Sequence, residues 1–216
     1  GMEISPYKEW LNGNDIKTPN IQHLANHSMV FNYGYTSVSS CSPSRSAMLT
    51  GMPVHQNGMY GLHHSIHHFN SFDINASNHV DQYPLSIGRI LKDAGYYTGI
   101  IGKYHVGPMN VYYFDYMITE SNGYNLNQVG RNITLMNQYM STFFDEKLPK
   151  NNKFLLYMAF HDTHRGCGGD EGPFCNYWGN GTEKMGTIPD WTPVTYNPST
   201  IKLPYWMPDT PEARQD

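Results

Sequence analysis

Runs of apolar residues predict the strands of this chain. Lys153–Phe160 contains an apolar run without interruption, and Tyr96–Ile101 is a shorter apolar segment that lies between polar stretches. A strand that is covered on both faces of a parallel sheet meets no water on either side, so its sequence is apolar almost throughout. Both segments are predicted to be buried strands, and Met29–Tyr35 is predicted to be a further strand.

Apolar side chains at helical spacing predict helices between these strands. One helix begins at Thr18-Pro19, where a capping residue precedes a proline at the first helical position. A second covers Pro84–Ala94 and ends at Gly95, and a third covers Asn132–Phe144. The alternation of strands and helices predicts an α/β layered domain.

The segment Cys41-Ser42-Pro43-Ser44-Arg45, followed by Leu49-Thr50-Gly51, carries the first candidate chemistry. Pro43 suits the first turn of a helix, and Gly51 can end that helix. Cys41 is then at the helix N-terminus, where free N–H groups favour negative charge. Arg45 lies one turn later on the same face. A buried structural cysteine before a short helix is the alternative interpretation.

Polar side chains also follow the two predicted strands. Lys103 and His105 come just after the first strand, and both can face one pocket if the chain stays extended there. His161-Asp162-Thr163-His164 follows the second strand. The carboxyl ends of strands are where α/β enzymes place their sites, so these residues are candidates for function.

Composition excludes two classes of partner. The net charge is −4 with neutral histidine, and no basic tract occurs, so a nucleic-acid partner is not expected. The longest apolar run, Phe154–Phe160, is far shorter than a membrane-spanning helix needs, so no membrane span is expected.

The cysteine segment resembles the signature C-x-P-S-R…L-T-G of the sulfatase family. The resemblance implies that Cys41 is oxidised to formylglycine by a formylglycine-generating enzyme, and that its hydrate attacks sulfur. Gly102-Lys103-Tyr104-His105 is similar to the family's G-K-x-H segment, and His161–His164 is similar to H-x-P-H with Thr163 in place of proline. The resemblance therefore implies that Lys103, His105 and His164 contact the sulfate. It also implies that Arg45 stabilises the hydrate and that His105 and His164 assist proton transfer.

The rest of the chain is most similar to the heparan N-sulfatase branch. The similar segments are Val38–Ser40, His55–His63, His67–Asp73, Gly130–Thr134 and Ile188–Pro193. This implies an alkaline phosphatase-like sandwich, with a central mixed sheet and helices on both faces. The implied reaction removes N-linked sulfate from glucosamine of heparan sulfate, a glycosaminoglycan, in the lysosome. The His-rich loop 55–73 is interpreted as a substrate-recognition loop. A solvated surface loop and a metal cage, which lacks regular ligand spacing, are the alternatives.

The resemblance also implies calcium, held by two adjacent aspartates, an Asp-Asn pair and the oxidised residue 41. No Asp-Asp pair occurs in the chain, so among these ligands only Cys41 is present. Residues 1–216 are therefore expected to be part of an N-terminal catalytic domain that is truncated at both ends. The isolated fragment is expected to be inactive, and the full-length protein is expected to form a homodimer.

Secretion would explain the remaining cysteines and asparagines. With Cys41 modified, Cys167 and Cys175 remain in a glycine-rich stretch and are expected to form a local disulfide in an oxidising compartment. Two reduced thiols, or half of a metal site, are the alternatives. Four sequons predict N-glycosylation at Asn26, Asn75, Asn132 and Asn180.

Three other interpretations of the function are not excluded by the sequence. The protein is then another sulfatase, a phosphonate ester hydrolase or an inactive pseudoenzyme.

Overall fold

The computed structural model describes residues 18–62, 86–124, 126–161, 196–203 and 206–215. The chain divides into two compact units, one made of residues 1–35 and 193–216 and the other of residues 36–192. The helices and strands, in chain order, are α1 Pro19–Asn26, α2 Cys41–Thr50, α3 Val54–Asn57, α4 Ile87–Asp93, β1 Tyr97–Gly102, β2 Tyr116–Thr119, α5 Leu126–Arg131, α6 Ile133–Thr142, β3 Phe154–Ala159 and α7 Pro211–Gln215. A π-helical turn, Phe143–Lys147, continues α6.

The described strands form a parallel sheet in the second unit, with β1 between β2 and β3. Tyr97 pairs with Phe154 and Gly99 with Tyr116, so both neighbours are in fixed register with β1. All three strands end at the same edge of the sheet because they are parallel. This edge places the segments after Gly102, Thr119 and Ala159 beside one another.

The central strand β1 separates two apolar clusters. Ile100 packs with Leu49 and Tyr104 on one side, and Ile101 packs with Val129 and Met136 on the other. Successive side chains of a strand point to opposite faces, so two adjacent isoleucines can serve two cores. Helices therefore cover both faces, with Leu49 in α2 on one face, and Val129 and Met136 in α5 and α6 on the other.

The predicted strands at Tyr96–Ile101 and Lys153–Phe160 are confirmed, each to within one residue at either end. The helices at Pro84–Ala94 and Asn132–Phe144 are also present, but each begins later. Ser86 and Asn132 are their capping residues, and each accepts a hydrogen bond from a backbone N–H three residues ahead. A polar cap satisfies a free N–H of the first turn and so fixes the start of a helix.

The predicted strand Met29–Tyr35 is wrong. The structure has no strand over these residues, and the side chains of Met29 and Tyr35 are 78% and 90% exposed. Apolar and aromatic residues stabilise a strand when they pack on a half-buried pleated surface beside a neighbouring strand. Among the described strands none pairs with this segment, so its composition does not lead to a ladder there. Conversely, the four-residue strand β2 is too short to show a pattern of its own.

An ion pair joins α4 to the start of β2. The Lys92 ammonium donates to the Asp115 carboxylate, which also accepts hydrogen bonds from the backbone N–H and hydroxyl of Thr98, both at 3.0 Å. Burial would raise the pKa of Asp115, but the bonds from Lys92 and Thr98 outweigh it and hold that pKa below its usual value. The bonds to Asp115 and Tyr113 raise the pKa of Lys92.

Replacing Asp115 should therefore destabilise the protein in a pH-dependent way. Because the folded pKa is depressed, the stabilisation is complete above the unfolded value of about 3.9 and is lost as pH falls through the folded value. Asp115→Asn should lower the free energy of unfolding by about 1–2 kcal/mol at pH 7 and by much less near pH 2, as measured by urea denaturation. The exposed pair Arg89–Asp93 is the control, and Asp93→Asn should cost under about 0.5 kcal/mol. An equal loss for Asp115→Asn at both pH values would contradict this account.

Candidate active site

Cys41 is the first residue of α2, as the sequence predicts. Ser40 is extended and precedes the helix, and Gly51 ends it in the left-handed region at φ 69°. Cys41 is half-buried, and its thiol is free. Cys41 thus lies at the N-terminus of α2, where the helix dipole favours a negative group.

The hydroxyl of Ser46 fixes α2 to the loop before β2. It lies 2.6 Å from the hydroxyl of Tyr112, and both residues are fully buried. Tyr104 donates its own O–H to the carbonyl of Tyr112 at 2.8 Å. Burial raises the pKa of both tyrosines, so both phenols stay protonated. The helix that carries Cys41 is therefore held in place by buried neutral hydrogen bonds.

Lys103 approaches Cys41 from the end of β1. Its side chain is buried, with 5% of the residue exposed, and its Nζ lies 3.7 Å from the Cys41 Sγ. The Lys103 N–H donates to the carbonyl of Ala159, the last residue of β3, at 2.7 Å. The strand pairing of β1 with β3 therefore continues one residue past Gly102 and places the ammonium group at position 41.

Arg45 connects the helix to the same strand end. Its Nη1 donates to the carbonyl of Lys103 at 2.9 Å and to the hydroxyl of Tyr157 at 3.4 Å. One guanidinium thus joins α2, β1 and β3, the three elements that form the site. Because the guanidinium is planar and has five N–H donors, its other N–H groups can serve a third acceptor.

A cleft of about 490 Å³ lies at this junction. The lining includes Cys41, Arg45 and Lys103 together with Tyr157, Phe160 and His161. Two cations therefore line the same cleft as Cys41 and a helix N-terminus, and one of them, Lys103, lies beside the thiol. This combination suits a small oxyanion whose central atom faces Cys41.

The backbone at His105 is not extended, although the sequence-based prediction that His105 and Lys103 face one pocket assumed an extended chain. Its φ is 51°, in the left-handed region, and the described lining of the cleft does not include it. The N–H groups of Tyr104 and His105 bond to the carboxylate of Glu120. The role of His105 in sulfate contact or proton transfer stays a prediction.

Several other candidates stay predictions as well. His164, Cys167, Cys175, Asn75 and Asn180 lie outside the described residues, so the disulfide and two of the sequons have no structural account. Asn26 is exposed on α1. Asn132 is half-buried, and its side-chain oxygen accepts the N–H of Leu135 at 2.9 Å.

Two residues of the site region are absent from the sequence-based candidates. Tyr157 lies within the apolar run of β3, and its alternation with Ala159 and His161 was the signal that could have placed it at the strand end. Glu120 follows β2, a strand that the sequence pattern does not reveal. No sequence signal therefore pointed to Glu120.

The described residues do not fit a calcium site. Within the parts of the chain that the structure describes, no three His, Cys, Asp or Glu side chains lie close enough to hold a metal ion together. Calcium needs six to eight oxygen ligands, and Cys41 with its neighbours Lys103 and Arg45 supplies none of the carboxylates.

The same described ranges contain no helix with the length and apolar character to cross a bilayer.

Comparison with known proteins agrees with the chemistry of the cleft. Residues 8–190 match the sulfatase family. Human N-sulphoglucosamine sulphohydrolase is 51% identical over 219 residues, which cover 100% of this chain and 40% of the human protein. Human arylsulfatase G is 32% identical over 104 residues, or 46% of this chain and 18% of that protein. An arylsulfatase of Clostridium perfringens is 35% identical over 99 residues, or 45% and 18%.

The chain thus spans well under half the length of each of these relatives. The family match nevertheless includes α2, the sheet and every described residue of the cleft. The chain belongs to the sulfatase family.

Proposed function

We propose that this chain carries the nucleophile and part of the sulfate-binding site of a hydrolase that removes N-linked sulfate from glucosamine of heparan sulfate. The observation that carries the proposal is the Lys103 ammonium 3.7 Å from the Cys41 Sγ at the N-terminus of α2, in a cleft that Arg45 also lines. The preference for an N-linked sulfate rests on the relative that aligns along the whole chain, whereas the arylsulfatases align over less than half of it.

The sulfatase family generally uses calcium and formylglycine. Cys41 fits the second of these, because it is a free, half-buried thiol at a site that stabilises negative charge. Oxidised to formylglycine, residue 41 would supply a hydrated aldehyde, whose hydroxyl oxygen is a nucleophile toward sulfur. The described residues of the cleft do not supply a calcium ligand set, so calcium remains an expectation.

Lys103 and Arg45 supply the electrostatic part of the reaction. The buried Lys103 ammonium compensates the charge of a sulfate oxygen next to residue 41, and its effect is large because little water screens it. Arg45 fixes the main chain of Lys103 and turns a cation toward the same cleft. Together they orient the sulfur atom toward position 41 and stabilise charge that develops on the sulfate oxygens.

Proton transfer completes the reaction. Hydrolysis breaks the S–N bond, places the oxygen of water on sulfate and adds a proton to the leaving nitrogen. His164 and His105 are the proposed donors, in keeping with the resemblance of their segments. Delivery through the secretory pathway to the lysosome, oxidation by a formylglycine-generating enzyme and a homodimeric full-length protein belong to the same proposal.

A substrate panel tests the function. The full-length protein is expressed in mammalian secretory cells together with formylglycine-generating enzyme and assayed on N-sulfoglucosamine, glucosamine 6-sulfate, an aryl sulfate and a phosphonate monoester. Mass spectrometry of the Cys41 peptide should show a loss of about 18 Da on oxidation. We expect turnover of N-sulfoglucosamine at a kcat/KM at least about 100-fold above that of the other substrates.

Each other result has a distinct meaning. Turnover of only the O-sulfates or only the phosphonate would assign a different hydrolase of the same fold. An oxidised residue 41 without any turnover would indicate an inactive protein. Complete retention of the thiol in the presence of the oxidising enzyme would overturn the proposed nucleophile.

A further inference from the structure

Glu120 lies next to the site without lining the cleft. It immediately follows β2, and its two carboxylate oxygens face the chain that leaves β1. Oε1 accepts the N–H of His105 at 2.8 Å and that of Tyr104 at 3.1 Å, while Oε2 accepts the N–H of Tyr104 at 3.0 Å. A charged acceptor on two successive backbone amides forms stronger hydrogen bonds than a neutral one.

The chain that these bonds hold has an unusual course. Gly102 has φ 107° and His105 has φ 51°, so the backbone turns twice out of the extended region within four residues. A histidine at positive φ persists when its surroundings hold it there. The carboxylate of Glu120 accepts the N–H groups of Tyr104 and His105, which a neighbouring strand would otherwise accept.

Lys103 lies inside the segment that is held in this way. Its N–H bonds to Ala159 and its carbonyl accepts from Arg45, while Glu120 holds the next two peptide units. These bonds fix the main chain from which the Lys103 side chain reaches Cys41. We infer that Glu120 is a positioning residue, whose carboxylate sets the place of the Lys103 ammonium at position 41.

Asp115 provides a matched comparison within the same strand pair. Asp115 immediately precedes β2, whereas Glu120 immediately follows that strand. Asp115 accepts the backbone N–H of Thr98 near the start of β1. Both residues therefore join β2 to the main chain of β1 through a carboxylate, at opposite ends of the strands. Replacement of Asp115 perturbs the fold without touching the segment that carries Lys103.

The position of the ammonium can be measured without catalysis. In protein made without formylglycine-generating enzyme, the Cys41 thiol is alkylated by anionic iodoacetate and by neutral iodoacetamide, and the ratio of the two rates reports the positive charge beside the sulfur. Lys103→Met should lower this ratio at least about fivefold, since one charge near 4 Å has that effect even when water screens it fully. Glu120→Ala should lower it at least twofold, while Asp115→Asn should leave it unchanged.

The sign of the change separates positioning from a plain charge effect. Removing a carboxylate near Cys41 without moving Lys103 would raise the ratio, because an anion that repels iodoacetate has gone. Glu120→Gln keeps an acceptor oxygen and should give a ratio at or above that of the wild type. Glu120→Asp keeps the charge but shortens the reach, and it should lower the ratio at least twofold even if Glu120→Ala fails to fold.

The catalytic measurement rests on the proposed function, and the alkylation measurement does not. In oxidised protein, Glu120→Ala and Glu120→Asp should lower kcat about 10- to 100-fold, Glu120→Gln should recover most of it, and Asp115→Asn should change kcat less than twofold. Absence of turnover in the wild type would refute the proposed function only. A ratio for Glu120→Ala or Glu120→Asp equal to or above that of the wild type would overturn the role of Glu120.

Discussion

Cys41→Ser is expected to abolish turnover of sulfated substrates, with a loss of at least about 10⁴-fold in kcat. A serine hydroxyl in this position could take a sulfuryl group from the substrate but lacks the second oxygen that releases it. The substitution changes one atom at a half-buried position, so the fold should persist. The melting temperature and the binding of inorganic sulfate, measured by calorimetry, should stay close to those of the wild type.

The control for this loss is Asp93→Asn, an exposed substitution on α4 that should retain full activity. A stable covalent sulfate ester on the Cys41→Ser variant, detected by mass spectrometry after incubation with substrate, would show the order of the two half-reactions. Turnover within tenfold of the wild type would remove residue 41 from the mechanism.

Gly102→Ala is expected to lower the free energy of unfolding by about 4 kcal/mol or more and to remove activity with it. A Cβ at this position would lie 2.1 Å from the carbonyl oxygen of Ala159 and 2.8 Å from its carbonyl carbon. These are backbone atoms of the neighbouring strand, so neither can rotate away as a side chain could. The φ of 107° adds strain for any residue with a Cβ.

Gly51→Ala separates the two contributions. Gly51 also has a positive φ, of 69°, but a Cβ there meets nothing within 4 Å. Its replacement should cost about 1 kcal/mol, the conformational part alone. Urea denaturation of both variants gives the comparison, and equal losses would show that the contact with Ala159 contributes nothing.

The sequence predicts the parts of the structure that depend on local chemistry. The apolar runs locate β1 and β3, and Pro43 with Gly51 locates the ends of α2, because burial and helix termini leave a mark in adjacent residues. The alkaline phosphatase-like α/β fold that the resemblance implied is confirmed by the family match together with the parallel sheet.

The sequence does not predict what depends on distant neighbours. Arg45 bonds to the carbonyl of a residue 58 positions away and to the hydroxyl of Tyr157 at 112 positions. Every residue has the same backbone carbonyl, so no sequence pattern indicates which carbonyl accepts a hydrogen bond from an arginine. The left-handed conformation of His105 is equally hidden, since its N–H bonds to a carboxylate that follows a neighbouring strand.

The order of strands in the sheet has a consequence in time. During synthesis the middle strand β1 cannot pair with β3 until β3 has been made, since Phe154 follows its partner Tyr97 by 57 positions. At a synthesis rate of about 5–20 residues per second, the apolar edge of β1 stays open for about 3 to 11 seconds on the ribosome. During that interval no cleft exists, and the segment around Cys41 is still exposed to modifying enzymes. Ser42 and Pro43 are buried in the folded chain, so the oxidation proposed for Cys41 is expected to compete with folding rather than follow it.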